Sequence, residues 1–260
     1  MKTTKLLFIS LLSVIFFACD GNEKQTVGFY LTDAPANVGL VAVNVDVQSI
    51  KYSIDDETWI DLPMSPVTVD LLQFSNGTDT LLSNIELEEG VKIHQVRLIL
   101  GSNNTITLSD GSVHTIATPS AQQSGLKLNV QSFSEVTSGY KVVIDFDASR
   151  SIIKKGNGEY QLKPVIRAYI SANSSSIYGT LVPSDIPAIV FTKTANGDTI
   201  STVSDTLQNN LFVLHGLNSG TYDLMIRDIN TGSTETLKSG VSVIGGVNVN
   251  LGAIEIPVIE

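Results

Sequence analysis

Cysteine is nearly missing from this chain of 260 residues, since Cys19 is the only one. A single thiol excludes a framework of intrachain disulfides and a zinc site made of several thiolates. Tryptophan is equally scarce, with one residue, and the three histidines are scattered, without the close spacing of a transition-metal site. Stability must therefore come from burial of apolar side chains, and hydrophobic residues make up 42% of the sequence.

Positive charge is also in short supply, with 16 Lys and Arg against 26 Asp and Glu and a formal net charge of -10. Phosphate backbones repel such an acidic protein, so we expect no nucleic-acid partner. Common catalytic signatures are missing as well, namely the Gly-x-Ser-x-Gly elbow, the Walker loop and the Gly-x-Gly-x-x-Gly turn. We therefore predict a protein without catalytic activity, cofactor or metal site.

Long apolar runs are confined to the N-terminus. Lys2 and Lys5 lead into residues 6–18, which are almost all apolar, and Cys19 follows directly. This run is too short to cross a bilayer of about 30 Å as a helix, and it has the layout of a secretory signal peptide. A small residue before a lone cysteine resembles the lipobox of bacterial lipoproteins, in which the cysteine is alkylated with diacylglycerol and the new N-terminus is acylated, for instance with palmitate.

The lipobox resemblance implies a signal peptide at residues 1–18 and an acylated tether at residues 19–26. A lipid anchor on Cys19 would hold the protein at a membrane, which its acidic surface could not do by electrostatic attraction. The implied location is the outer membrane of a Bacteroidetes-like bacterium, facing either the periplasm or the outside. The alternative is an ordinary signal peptide that happens to precede a cysteine.

Alternation of apolar and polar residues dominates the chain after residue 26 and predicts β-strands with one buried face. The valines from Val41 to Val47 alternate in one phase, and the apolar set that begins at Ile50 is shifted by one residue. This shift predicts a β-bulge near Gln48, or a strand that passes between two sheets. Further strands are predicted at Thr58–Leu62, Val91–Leu100, Thr105–Leu108, Val113–Ala117, Leu126–Val130, Tyr140–Phe146 and Tyr160–Ile170.

A small polar stretch at residues 171–176 indicates a linker. Short and regularly spaced strands after it are typical of a β-sandwich. They are predicted at Ile177–Val182, Ala188–Thr192, Thr199–Ser204, Asn210–Leu214, Thr221–Asp228, Thr234–Leu237 and Val247–Ile254. We also predict a short helix at Ala148–Lys155 and a turn at Val69–Phe74. The predicted fold class is all-β, with two β-sandwich domains in tandem, at residues 27–173 and 174–260, after the lipoprotein signal peptide.

The first half of the chain resembles a family of bacterial lipoprotein domains, the domain of unknown function 4382. The matching segments are Leu31–Pro35, Val69–Leu72, Gln95–Leu98, Pro119–Ser120, Ser124–Lys127, Asp145–Ala148, Ser151–Ile152 and Gly156–Pro164. The resemblance implies a fold and a location but no activity.

The second half is similar to β-sandwiches of the prealbumin-like, carboxypeptidase-regulatory type. The matching segments are Tyr178–Leu181, Leu211–Leu214, Ser219–Leu224 and Val249–Gly252. Such modules serve as spacers or ligand-presenting domains, and some relatives bind starch, so this resemblance implies a carbohydrate-binding-like fold.

Asp145 and Asp147 lie two residues apart on a predicted strand, so their carboxylates share one face. With Asp33 or Asp70 nearby, they could bind calcium through oxygen ligands, or the two could act as a general acid and base pair. The ordinary alternative is structural, with Asp147 capping the helix and Asp145 pairing with Lys127 or Arg97. We favour this alternative.

Trp59 and Tyr52 flank an acidic turn at residues 55–57 and form a candidate ligand face. Aromatic rings beside carboxylates are how sugar-binding faces are built, but the alternative that we favour places both side chains in the sandwich core. Three Asp-Thr-apolar tripeptides match the O-glycosylation acceptor pattern of Bacteroidetes. The candidate acceptor hydroxyls belong to Thr80, Thr199 and Thr206.

Together these patterns predict a non-catalytic lipoprotein of the cell envelope that acts as a binding or adhesion module, with a glycan or an envelope protein as partner. The first alternative is a carbohydrate-binding accessory of a nutrient-uptake system. The second is a hydrolase that depends on the carboxylates of Asp145 and Asp147.

Overall fold

The computed structural model describes residues 23–34, 39–74, 77–118, 125–131, 139–195 and 197–258. Within these residues the chain forms twenty strands and four short helical segments, which confirms the predicted all-β class. Among the described residues, no helix is long enough and apolar enough to cross a bilayer. Cys19 lies outside the described residues.

We call the part from Lys24 to Ile170 the N-terminal half. Its strands are β1 (Lys24–Ala34), β2 (Leu40–Ser53), β3 (Ile60–Asp61), β4 (Val67–Asp70), β5 (Thr80–Glu88), β6 (Gln95–Leu100), β7 (Thr105–Leu108), β8 (Val113–Thr115), β9 (Leu126–Gln131), β10 (Tyr140–Asp147), β11 (Ile152–Lys154), β12 (Tyr160–Leu162) and β13 (Ile166–Ile170). A 3-10 helix at Leu71–Gln73 and an α-helix, α1, at Ala148–Ser151 complete it.

Eleven of these strands form one sheet in the order β5-β1-β10-β13-β9-β6-β2-β7-β8, with β3 and β4 paired to β2. The sheet closes over a single apolar core, because strands far apart in this order pack against each other. Phe29 of β1 and Tyr52 of β2 have ring centroids only 5.8 Å apart although five places separate their strands. The arrangement is therefore sandwich-like, with two parts of one sheet face to face.

The predicted β-bulge in β2 is confirmed. Val47 pairs with Leu100 and Ser49 pairs with Ile99, so Gln48 is the extra residue. The bulge shifts the alternation by one residue, and both Val47 and Ile50 are fully buried as a result.

Several predicted boundaries are wrong, each for a local reason. The predicted strand Tyr160–Ile170 is interrupted because Pro164 lacks the N–H that a ladder requires. The predicted helix Ala148–Lys155 ends at Ser151, and the β-branched pair after it enters β11, which forms a hairpin with β12. The predicted tether is also too long, since β1 begins at Lys24.

The contacts of Gln25 explain why β1 already begins at Lys24. Its side chain is only 4% exposed, and its Nε2 donates to the carbonyls of Glu88 and Val91, each at 2.9 Å. These bonds fix the start of β1 against the end of β5.

We call the part from Ser175 to Glu255 the C-terminal half, and all seven of its predicted strands are confirmed. They are β14 (Ser175–Val182), β15 (Ala188–Lys193), β16 (Thr199–Val203), β17 (Leu211–Leu217), β18 (Gly220–Asp228), β19 (Thr234–Val243) and β20 (Val249–Glu255). They form two sheets, ordered β17-β14-β20 and β16-β15-β18-β19, over a second apolar core. 3-10 helices lie at Ser171–Asn173 and Thr206–Gln208.

The predicted linker is only partly right. Ser175 and Ser176 are buried residues at the start of β14, and only the 3-10 turn at Ser171–Asn173 separates them from β13. The two apolar clusters are separate in the sequence, while the division into domains at residues 173 and 174 stays a prediction.

Candidate functional site

Asp145 and Arg167 lie where the two halves of the molecule meet, which we call the junction. They are register partners on β10 and β13. Arg167 Nε lies 2.8 Å from Asp145 Oδ2, and Arg167 Nη2 bonds to the same oxygen. The guanidinium also donates to the carbonyl of Gly216 at 3.1 Å and to that of His215 at 2.7 Å. One side chain thus binds a carboxylate in its own half and two backbone carbonyls in the other.

A bulge in β17 presents these carbonyls. Ser175 pairs with Leu217 while Ile177 pairs with Leu214, so β17 has one residue more than β14 over this interval. Gly216 lies in the bulge with φ of +69°, and a Cβ at this position would stand 2.6 Å from Arg167 Nη1. Glycine is therefore required here, both for the left-handed backbone and for the approach of the guanidinium.

Asp147 makes the second connection across the junction. Its Oδ1 accepts from Arg150 N at 2.9 Å and so caps α1. Its Oδ2 accepts from the hydroxyl of Ser201, which belongs to β16 in the C-terminal half. Arg150 in turn donates to the carbonyl of Thr199 at 3.5 Å.

These contacts decide between the interpretations of Asp145 and Asp147. Helix capping and ion pairing are confirmed, with Arg167 as the cation in place of Lys127 or Arg97. Both groups make the structural bonds that the favoured alternative predicts, and these bonds give no support to the hydrolase hypothesis. Within the described residues, no three acidic, histidine or cysteine side chains are grouped to hold a metal ion, which leaves the calcium interpretation without support.

Sequence reasoning did not place Asp33 and His215 together at the junction. Asp33 is 4% exposed; its Oδ1 accepts from Ala148 N at 2.9 Å, and its Oδ2 has no hydrogen-bond partner in the part of the chain that the structure describes. Burial raises the pKa of Asp33 well above its usual value, and the charges of Asp145 and Asp147 raise it further.

His215 faces the junction from the other half. Its Nδ1 lies 2.8 Å from the hydroxyl of Ser176, and its buried Nε2 has no hydrogen-bond partner among the described residues. Burial lowers the pKa of His215 below its usual value. Asp33 and His215 are 182 positions apart in the sequence, and nothing in either local pattern indicates that they come together.

The predicted ligand face at Tyr52 and Trp59 is not formed. Tyr52 is 7% exposed and packs in the core against Phe29, because the bulge in β2 turns it inward. Trp59 is half-buried, with the guanidinium carbon of Arg97 only 4.3 Å from its ring centroid. Tyr52 cannot offer its ring to a ligand, and Arg97 already occupies one face of Trp59.

An open groove elsewhere in the N-terminal half has a half-buried aromatic wall. It measures about 360 Å³ and is lined by Gly39, Leu40, Leu108, Ser109, Asp110, Ile152, Lys154 and Tyr160. The ring of Tyr160 lies 5.1 Å from that of His114, and Lys154 Nζ lies 5.7 Å from its centroid. Hydrogen bonds from the hydroxyl and the N–H of Ser112 lower the pKa of Asp110, so its carboxylate stays charged. The sequence placed Tyr160 in a strand but gave no sign of the groove.

The three candidate glycosylation sites differ in exposure. Thr80 and Thr199 each lie at the start of a paired strand and are partly buried. Thr206 lies on an exposed 3-10 helix that Asp205 caps, and the following Leu207 is 95% exposed.

Comparison with protein families gives one match. The model of the domain of unknown function DUF4382 matches residues 24–164, which is more than half of the chain and covers β1 to β12. No curated protein matches the chain.

Solved structures align with the chain only at low similarity. The major pilin subunit BcpA of Bacillus cereus is 12% identical, over 90% of this chain and 70% of that one, with a TM-score of 0.20. A C-terminal fragment of the pilus adhesin SpaC of Lactobacillus rhamnosus GG is 11% identical, over 92% and 99%, with a TM-score of 0.21. The fimbrial anchor protein Mfa2 of Porphyromonas gingivalis is 11% identical, over 84% and 83%, with a TM-score of 0.20. Scores this low do not support any argument about this chain.

Replacing Gly216 by alanine should destabilise the protein more than the same change at Gly240. Both glycines have φ of +69°, so both variants bear a backbone cost of about 1–3 kcal/mol. Only at Gly216 does the new methyl group clash with Arg167 and with the ring of Tyr169, because nothing lies within 4 Å of the corresponding position at Gly240. Loss of hydrogen bonds to a charged group adds about 1.5–3 kcal/mol. Urea unfolding of both variants measures the difference, and equal free energies of unfolding would contradict the role of Arg167.

Proposed function

This chain belongs to the DUF4382 family through residues 24–164, and from that premise we propose that it is a non-catalytic binding or adhesion module of the cell envelope. The observation that carries the proposal is the engagement of Asp145 and Asp147 at the junction. Asp147 bonds to Ser201 of the other half, and Asp145 holds Arg167, which donates to two carbonyls of the other half, so both carboxylates have a structural role. The charged side chains at the junction are therefore explained by the bonds that they make within the fold.

A lipid on Cys19 is proposed to anchor the module in the outer membrane. The positive and apolar layout of residues 1–18 supports this, and each buried methylene of an acyl chain contributes about 0.8 kcal/mol to membrane affinity. Since β1 begins at Lys24, five residues after Cys19, an extended tether reaches at most about 18 Å. The N-terminal half would then lie close to the lipid surface.

The C-terminal half is proposed to be a second β-sandwich domain, of the prealbumin-like type, beginning at residue 174. Its own apolar core and its arrangement of a three-stranded and a four-stranded sheet support this. On this proposal its loops face the partner, an envelope protein or a glycan.

Carbohydrate binding is the second candidate function, and the groove at Tyr160 favours it. The groove has the size of a small-molecule site. Its aromatic ring can pack on the apolar face of a sugar, while Asp110, Lys154 and Ser109 can bond to hydroxyl groups.

Cys19→Ser should abolish lipid attachment. In cells grown with an alkyne-labelled fatty acid, we expect label on the wild-type protein and its recovery with the outer membrane, because the thioether requires the cysteine sulfur. The serine variant should carry no label and leave the membrane fraction. Equal label on both proteins, or none on either, would contradict the anchor.

Tyr160→Ala should weaken binding to a polysaccharide that the wild-type protein recognises by about tenfold, equivalent to about 1.4 kcal/mol. Tyr160→Phe keeps the ring and should bind as well as wild type, and Trp59→Ala is the matched change outside the groove. Titration calorimetry over a panel of polysaccharides measures the dissociation constants. If Trp59→Ala loses affinity and Tyr160→Ala does not, the groove is the wrong site.

Thr206 is proposed as the O-glycosylation acceptor, because its hydroxyl is exposed beside an exposed apolar residue. Peptide mass spectrometry of protein from its native host should find a glycan on Thr206, and Thr206→Ala should remove that mass. Thr80→Ala and Thr199→Ala, at partly buried positions, should leave it unchanged. An unmodified Thr206 peptide would exclude the site.

A further inference from the structure

Three cationic side chains form a row across the sheet of the N-terminal half. Lys51 of β2 is the register partner of Arg97 of β6, and Arg97 is in turn the register partner of Lys127 of β9. Residues that are directly opposite on antiparallel strands have Cβ atoms about 5 Å apart, so the row spans about 10 Å. We call these three residues the basic row.

The basic row lies on the face of the sheet that points away from the apolar core. Successive side chains of a strand point to opposite faces, and the neighbours of the row along the chain point inward. These buried neighbours are Ile50, Tyr52, Val96, Leu98 and Leu128. Lys127 is exposed, and Lys51 and Arg97 are partly exposed. A ligand in solution can therefore reach the row.

Little negative charge offsets the basic row. Lys51 has one carboxylate partner, Asp61, at 3.0 Å, and the side chain of Asp61 is itself 70% exposed. Arg97 and Lys127 form no ion pair with any residue that the structure describes. Like charges that are directly opposite each other in a sheet repel, so the fold bears a cost here that a bound anion would relieve.

The acidic turn at residues 55–57 has other partners. The carboxylate of Asp55 accepts from two backbone N–H groups that follow it and from the hydroxyl of Ser53. The carboxylate of Asp56 lies 3.2 Å from the imidazole of His94. Neither of these two carboxylates pairs with the basic row.

Trp59 packs on the middle member of the row. The guanidinium carbon of Arg97 lies 4.3 Å from the centroid of the tryptophan ring. Stacking of this kind uses the flat face of a guanidinium and leaves its outer N–H groups for a carboxylate, which they can bind in a bidentate manner. The ring therefore orients Arg97 without replacing the missing anion.

Amide side chains lie beside the basic row on the same face. Gln95 and Asn129 are register partners two residues from Arg97 and Lys127, and Gln95 Nε2 donates to Asn129 Oδ1 at 3.2 Å. Asn129 is exposed, and its own amide N–H groups can donate to a hydroxyl group. Cations beside amides suit an acidic saccharide, which carries both carboxylates and hydroxyl groups.

We propose that the basic row binds an acidic polysaccharide, with carboxylates of the sugar chain paired to Lys51, Arg97 and Lys127. This inference rests on the proposed role as a binding module and adds a ligand site separate from the groove at Tyr160. A chain with a formal net charge of -10 repels polyanions in general, so it can bind one only through a local group of cations.

Two exposed substitutions should change binding in opposite directions. Lys127→Gln should weaken binding of polygalacturonate about threefold, because it removes one charge pair. Asp61→Asn should strengthen binding by a similar factor of about three, because it frees Lys51 for the ligand. Titration calorimetry of the purified protein at low salt measures both effects, and added salt should weaken binding because it screens exposed charges.

Matched controls separate the basic row from the net charge of the protein. Lys238→Gln and Asp185→Asn make the same changes in net charge at exposed positions of the C-terminal half, and both should bind polygalacturonate like wild type. The neutral polysaccharide dextran should not bind to the row. Failure of polygalacturonate to bind, equal binding of dextran, or equal effects of Lys127→Gln and Lys238→Gln would overturn the proposal.

Two further comparisons identify the ligand and the site. If vesicles of phosphatidylglycerol bind through Lys127 and polygalacturonate does not, the row recognises lipid headgroups and the proposal is wrong. Tyr160→Ala should bind polygalacturonate as well as wild type does. If Tyr160→Ala loses this binding and Lys127→Gln keeps it, the site at the basic row is refuted while the proposed carbohydrate-binding function stands.

Discussion

The guanidinium of Arg167 is largely buried and needs hydrogen-bond partners for its N–H groups. The arrangement of the junction depends on this requirement. The side chain of Arg167 is 16% exposed, and that of its partner Asp145 is 13% exposed. A charge that is largely removed from water is tolerated only when its hydrogen-bonding groups have partners, and removing one partner of such a pair is strongly destabilising. The neighbouring register of β10 and β13 supplies the carboxylate, and the bulge in β17 supplies two carbonyls. The left-handed glycine at position 216 leaves the space through which the guanidinium reaches them.

Much of the fold could be predicted because its signals are local. Each strand of the C-terminal half is a short alternating segment between turns, and all seven were found. The phase shift between Val47 and Ile50 located a bulge within one residue. The missed strand β5 lacks this signal. β5, at the edge of its sheet, has side chains that are at most half-buried, so its apolar residues follow no strict alternation.

The helix after Asp147 was predicted to be too long. A good cap and a following pair of lysines favour a longer helix, but they do not reveal that β12 pairs with residues 152–154.

The junction shows where sequence reasoning stops. The two-residue spacing of Asp145 and Asp147 correctly predicted that their carboxylates lie on the same side of the strand, and the cap on α1 follows from local preference. The partners across the junction depend on which strands are neighbours and on how the halves meet. Arg167 pairs with Asp145 only because β13 lies beside β10, and Ser201 reaches Asp147 from a strand in the other half. Neither fact can be read from a single sequence. The same holds for Tyr52, whose inward direction follows from its position on the buried face of β2.

A junction made of directional bonds has a different mechanical consequence from an apolar one. Apolar contacts between two sandwiches resist separation but tolerate sliding, because burial depends on area and hardly on direction. The bonds of Arg167, Asp147 and Arg150 each specify an angle as well as a distance, so they favour one orientation of the halves over others. Such contacts add little net stability, since desolvation of the charges offsets their attraction. In the proposed envelope module, orientation is the property that matters. A short tether would fix the N-terminal half near the lipid, and the junction would then determine which loops of the C-terminal half meet a partner.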